Sequence, residues 1–177
     1  VAGLIVITGP PGAGKSTVAG RVAARRNPSV LIEGDAFFAF LDQGAIPPWL
    51  PEADAQNHVV IDAAAAAAGR YATTYTTVYD GIVGPWFLPT FARSTGLAEL
   101  HYVILLPDVE QCLHRVATRR GHRFDDEAAT RSMHQQFEDS AMAAEYVLRS
   151  SSDDPQEVAT EVLTRFESGR IAYQPPR

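Results

Sequence analysis

The 177-residue sequence predicts an α/β protein: one parallel sheet of five strands with helices on both faces. Three observations predict it. Short β-rich runs alternate with longer helical patterns. Two of the runs, Gly3 to Thr8 and Leu100 to Leu106, are near-continuously apolar, as in strands buried on both faces. Between the first run and the first helix lies Gly9-Pro10-Pro11-Gly12-Ala13-Gly14-Lys15-Ser16-Thr17, which fits G-x-x-x-x-G-K-[ST], the phosphate-binding loop.

The elements follow in order. Gly3 to Thr8 reads as a buried strand, and Ser16 to Arg26 as a helix that stops at Asn27-Pro28, where proline forbids continuation. Ser29 to Glu33 is a second strand, ending in Gly34-Asp35. Gly44 to Pro51 is a Pro-rich loop holding Trp49, and Pro51 suits the first position of a helix over Glu52 to Ala72. Thr74 to Tyr79 is β-branched and aromatic, a third strand ending in Asp80-Gly81. Trp86 to Arg93 is a short helix or irregular segment. After the strand over Leu100 to Leu106, Asp108 and Gln111 suggest a capping box. Val109, Cys112, Leu113 and Val116 then form a helical apolar stripe. A helix after Asp125-Asp126 places Ala129, Met133, Gln136 and Phe137 on one side. Tyr146 to Arg149 is the fifth strand. Asp154-Pro155-Gln156-Glu157 opens the last helix and Gly169 closes it.

Composition bounds the function. The hydrophobic content of 46% supports a sizeable core in one domain spanning 1–177. A net charge of −6 argues against a general nucleic-acid surface. A single cysteine excludes a disulfide framework and fits a reducing compartment. No apolar run approaches membrane-spanning length, and there is no basic segment leading into a signal core. The expectation is a cytoplasmic chain with little missing ahead of Val1. The five histidines show no ligand spacing, and Cys112, on the apolar stripe, reads as core.

The phosphate loop carries the chemistry. Gly12 and Gly14 let the backbone bend and present successive N–H groups to one anion, and the following helix adds its positive end. Gly9, Pro10, Pro11, Gly12, Ala13, Gly14, Lys15, Ser16 and Thr17 are the expected nucleotide-binding set. Lys15 would reach the β- and γ-phosphates and the Ser16 hydroxyl would hold Mg²⁺. Lys15 is the only lysine; every other cationic side chain is arginine.

The chain resembles the small P-loop kinases, the group that includes gluconate kinase, shikimate kinase and chloramphenicol phosphotransferase, along with many AAA-type small kinases. The likeness rests on Gly9 to Thr17, Gly34-Asp35, Asp80-Gly81 and Arg119 to Arg123, in that order. It is supported by Pro48 to Pro51 and by Ser132 to Glu138, which is similar to gluconate kinases. The resemblance implies a three-layer P-loop NTPase fold with a small Arg-bearing lid near residues 119–127 and an acceptor-binding segment near 36–72. It implies ATP and Mg²⁺ as cofactors. Asp35 would be the catalytic base and acceptor anchor, with Glu33 in reserve; by position alone the other reading of Asp35 is a helix N-cap for Phe37 onward. Asp80 would bind Mg²⁺ or hold the acceptor, or be a plain turn residue. Arg115, Arg119, Arg120 and Arg123 would supply the lid, with Arg119 and Arg123 preferred for phosphate contact; the other reading is a solvated helix end. Ser150 to Asp153 would flank the adenine.

Ala36 to Gly69 contains no Lys or Arg. Anionic acceptors are usually clamped by Arg, so a neutral or cationic hydroxyl-bearing acceptor is expected, near Asp35, Trp49 and Asn57. Arg70 or Arg93 could still fold back as a clamp. The expected partner is a small-molecule hydroxyl acceptor, with no nucleic acid and no membrane, for a monomer or homodimer. A nucleoside monophosphate kinase and a non-catalytic nucleotide switch are the competing readings.

Overall fold

The computed structural model describes residues 2–118, 126–149, 152 and 154–176. Strand β1 (Gly3–Thr8) leads into helix α1 (Lys15–Ala24), β2 (Ser29–Glu33) and the short α2 (Gly34–Phe38). A single 3₁₀ turn, Pro51–Ala53, opens α3 (Asp54–Ala72), followed by β3 (Thr76–Asp80) and α4 (Leu88–Ser94). Then come β4 (Leu100–Leu105), α5 (Val109–Thr118), α6 (Glu127–Asp139), β5 (Val147–Leu148), α7 (Pro155–Glu167) and β6 (Ala172–Tyr173). Strand order is β2-β3-β1-β4-β5, all parallel, and β6 joins β4 antiparallel through Leu100 and His101.

Period-two alternation in the central strand builds the three layers. Leu4 and Val6 enter a core shared with α3, α4 and α6; Ile5 and Ile7 enter one shared with α1 and α7. All four are fully buried. At about 1.5–3 kcal/mol for each fully buried large aliphatic side chain, this strand anchors both layers. Strand β4 repeats the pattern, with Tyr102 and Ile104 facing one core and Val103 and Leu105 the other. No helix among the described residues is long and apolar enough to cross a membrane.

Three local expectations are corrected. The sheet has a sixth strand, because two residues after α7 find the free edge at the start of β4. Gly34–Phe38, which the sequence leaves without an element of its own, forms the short α2. Thr74 and Tyr75 precede β3: their N–H groups bond back to the Tyr71 carbonyl and finish the end of α3. On α6 the buried face is Thr130, His134 and Phe137, with Gln136 exposed. His134 is satisfied there by the Pro107 carbonyl at 2.8 Å. The expected cap of the last helix holds, Asp154 accepting from the Gln156 amide, and Asp126 accepts from the Ala129 amide at the start of α6. Cys112 is fully buried, and burial pushes its thiol up to about 11.

Candidate functional site

The loop between β1 and α1 is held open for an anion. Gly14 is the N-cap of α1 at φ 90°, with no side-chain cap on the helix and no acidic residue in its first turn. The orphan N–H groups of this end therefore meet no competing carboxylate from their own helix. Gly12 (φ 77°) packs so closely on α5 that a Cβ there would collide with the Cys112 carbonyl. Any other residue would push the loop off the helix. The Lys15 ammonium folds back onto the Pro10 carbonyl at 2.9 Å. That bond is local, so the side chain can exchange it for a phosphate without disturbing the core.

Beside the loop stands Asp80, at the C-terminal end of β3 with Glu33 of β2 and Ile7 of β1 as its register partners. It is 7% exposed. Burial raises its carboxyl above the ordinary value, opposed by a hydrogen bond from Ser16 and by the Lys15 charge; Asp35 and Glu33 add to the rise. Its Oδ1 is buried with no hydrogen-bond partner. An unsatisfied carboxylate oxygen next to a serine hydroxyl is a hard-oxygen pair that fits Mg²⁺ shared with phosphates. Asp35 is exposed in the first turn of α2, whose N-cap is Glu33, so Asp35 does not cap the helix.

A cleft of about 320 Å³ continues from the loop between α5 and the start of α7, lined by Gly12, Thr17, Leu105, Arg115, Leu148 and Pro155. Arg115 reaches the Gly12 carbonyl at 3.4 Å. The sequence groups Arg115 with the lid; the structure sets it against the loop itself. Arg119, Arg120 and Arg123 lie outside the described residues, as do Ser150, Ser151 and Asp153. Ser152 lines the cleft.

The segment expected from the sequence to bind an acceptor is less tightly held. Asn57 donates to the Pro48 carbonyl at 2.7 Å, and its Oδ1 is buried without a partner. Gln56 brackets Ile46, accepting from its amide at 2.8 Å and donating to its carbonyl at 2.7 Å. Together they tie down the loop that carries the half-exposed Trp49. Neither candidate clamp comes near: Arg70 is exposed in the last turn of α3, and Arg93 bonds Thr90 on its own helix and lies close to Tyr173 of β6.

Sequence reading missed two aromatic residues on the loop after β3. Its backbone is pinned at Val83, whose amide donates to the Thr8 hydroxyl and whose carbonyl accepts from Tyr102. Trp86 is 42% exposed, lies against Phe137 of α6, and leaves no room for a side chain at Gly84. Phe87 meets His58 of α3 edge-on at 4.8 Å. Asp80-Gly81 signalled a turn here, but nothing local signalled the aromatic wall behind it.

A family model described as an AAA domain matches residues 4–143. A sugar kinase from Janibacter superposes with a TM-score of 0.72 at 20% identity, over 94% of this chain and 95% of that one. A gluconokinase from Sinorhizobium meliloti gives 0.67 at 22%, over 96% and 94%. A tunicamycin resistance protein from Deinococcus radiodurans gives 0.69 at 16%, over 94% and 96%. No curated protein sequence matches. The chain belongs to the AAA domain family, and its fold is that of the small P-loop kinases.

Proposed function

We propose that this protein is an ATP-dependent phosphotransferase acting on a hydroxyl of a small neutral or cationic molecule. The observation that carries the reading is the pairing of an uncapped, acid-free helix start at Lys15 with a buried, half-satisfied carboxylate at Asp80. Amide hydrogens without partners need an anion, and Asp80 needs a cation. Magnesium triphosphate supplies both.

The residues then take distinct roles. Lys15 releases the Pro10 carbonyl and neutralises the β- and γ-phosphates. Ser16 and Asp80 would hold Mg²⁺, which supplies charge neutralisation on the phosphate tail when bound. Arg115 borders the cleft where the nucleoside would lie, and Arg119 and Arg123 complete the reading as lid cations. Asp35, on the same sheet edge as Asp80, takes the proton of the attacking hydroxyl. The absence of cations from 36 to 69, with Arg70 and Arg93 directed elsewhere, supports an uncharged or cationic acceptor. The same absence weighs against a nucleoside monophosphate.

The test is an ATP-consumption screen over sugars, nucleosides, nucleoside monophosphates and hydroxyl-bearing antibiotics. Turnover with a neutral or cationic compound is expected. Turnover with anionic acceptors alone would overturn the acceptor class, and nucleotide binding without any turnover would favour a switch. Asp35→Asn should lower turnover about 10²- to 10⁴-fold, the usual worth of a general base, with nucleotide affinity unchanged.

A further inference from the structure

Tyr79 is the last residue before Asp80 and is 3% exposed. Its ring meets Phe91 edge-on at 5.0 Å, which fixes its direction. The phenol end rises between the ends of β2 and β3. A Cβ on Gly34 would collide with the Tyr79 hydroxyl, and one on Gly81 would lie 3.1 Å from it. Two glycines, each next to an acidic residue of the site, thus leave space for one hydroxyl. Asp35 and Asp80 are both close enough to act on it electrostatically. The ring is buried, but the hydroxyl oxygen is not one of the fully enclosed polar atoms that lack a partner. Set in the space above the two glycines, with both acids nearby, it is open to a partner from outside the chain.

We propose that the Tyr79 hydroxyl is the fixed hydrogen-bond donor to the attacking oxygen of the acceptor. This rests on the phosphotransferase reading and adds to it the residue that orients the nucleophile. An acceptor hydroxyl placed between the two side chains donates to the Asp35 carboxylate and accepts from Tyr79. Its remaining lone pair is left for phosphorus. As the oxygen–phosphorus bond forms, the bond from the γ-phosphorus to the bridging oxygen breaks and ADP leaves. The acceptor's proton goes to Asp35. Tyr79 keeps its own proton throughout. A phosphate or carboxylate acceptor brought to this spot would face Asp35 and Asp80 with one neutral donor, so the geometry also selects for an alcohol.

Tyr79→Phe removes the oxygen and keeps the ring on Phe91. With Mg-ATP, and with water or glycerol as the acceptor, turnover is expected to fall about 10- to 100-fold, the loss of one buried hydrogen bond. Melting temperature and affinity for a non-hydrolysable ATP mimic should stay at wild-type values, which a merely structural tyrosine would not allow. A crystal of the wild type with that mimic should hold a water bonded to both Tyr79 Oη and Asp35. Turnover of Tyr79→Phe equal to wild type, or a Tyr79 hydroxyl bonded to a protein carbonyl instead, overturns the assignment alone. A wild type that neither binds nor turns over Mg-ATP overturns the underlying reading as well.

Discussion

The two ends of the crevice are built differently. At the nucleotide end, the loop springs from a strand with four fully buried aliphatics and is pressed onto α5 at Gly12. At the proposed acceptor end, Phe40 is 75% exposed and Val59 70%. The loop before α3 is tied chiefly by the side chains of Gln56 and Asn57. The first region is determined many times over, as backbone positioning of a phosphate requires. In the second, no residue from 39 to 50 is buried, so this loop belongs to the low-stability part of the molecule even though α3 behind it packs into the core. The contrast fits the proposed phosphotransferase, with a constant donor and a variable acceptor.

Three experiments break or sharpen this contrast. The largest effect is expected at the rigid end. Lys15→Met removes the ammonium without touching the core, so turnover should fall at least about 100-fold with an unchanged circular dichroism spectrum. Retained turnover would remove the loop from the chemistry.

Asp80→Asn comes next, and its two readouts move in opposite directions. Burial holds the folded carboxyl above its unfolded value, so its contribution to stability is complete below the unfolded pKa and lost as pH rises through the folded one. Above that folded pKa the ionised Asp80 burdens the ligand-free fold. In that range the amide should raise the ligand-free melting temperature by about 2–4 °C, the equivalent of roughly 1 kcal/mol at this size. It should also abolish the extra stabilisation that Mg-ATP gives the wild type. A ligand-free melting temperature that drops instead would make Asp80 a structural residue.

Gln56→Ala, at the loose end, should do least. It frees the loop at Ile46, so the acceptor's KM should rise several-fold while kcat and nucleotide affinity hold. A drop in melting temperature beyond about 4 °C would show the loop to be part of the stable core.

How much was legible in the sequence follows the same division. The phosphate loop is local, nine residues whose spacing is their geometry, and β1 and β4 announce themselves because both faces are buried. Strand β6 was not legible, since two residues have no pattern apart from the edge they pair with. Thr74 and Tyr75 have strand propensity but sit where the last turn of α3 captures their amides. Arg115 shares the helix face that touches the loop through Cys112, yet sequence gives no distance between Cys112 and Gly12. Tyr79 and Gly34 lie 45 positions apart and meet only because β2 and β3 pair in register, Ile32 beside Tyr79. Trp86 opens a segment that the sequence leaves as a short helix or irregular, and its place against Phe137 is set only by the fold.

The solitary lysine has a practical consequence. Amine-directed acylating reagents will find one ε-amino group on this polypeptide, and it rests on the Pro10 carbonyl at the mouth of the phosphate loop. Its labelling rate, followed by mass spectrometry, becomes a direct gauge of occupancy. Any compound that shields it competes for the triphosphate's seat, whatever the acceptor turns out to be.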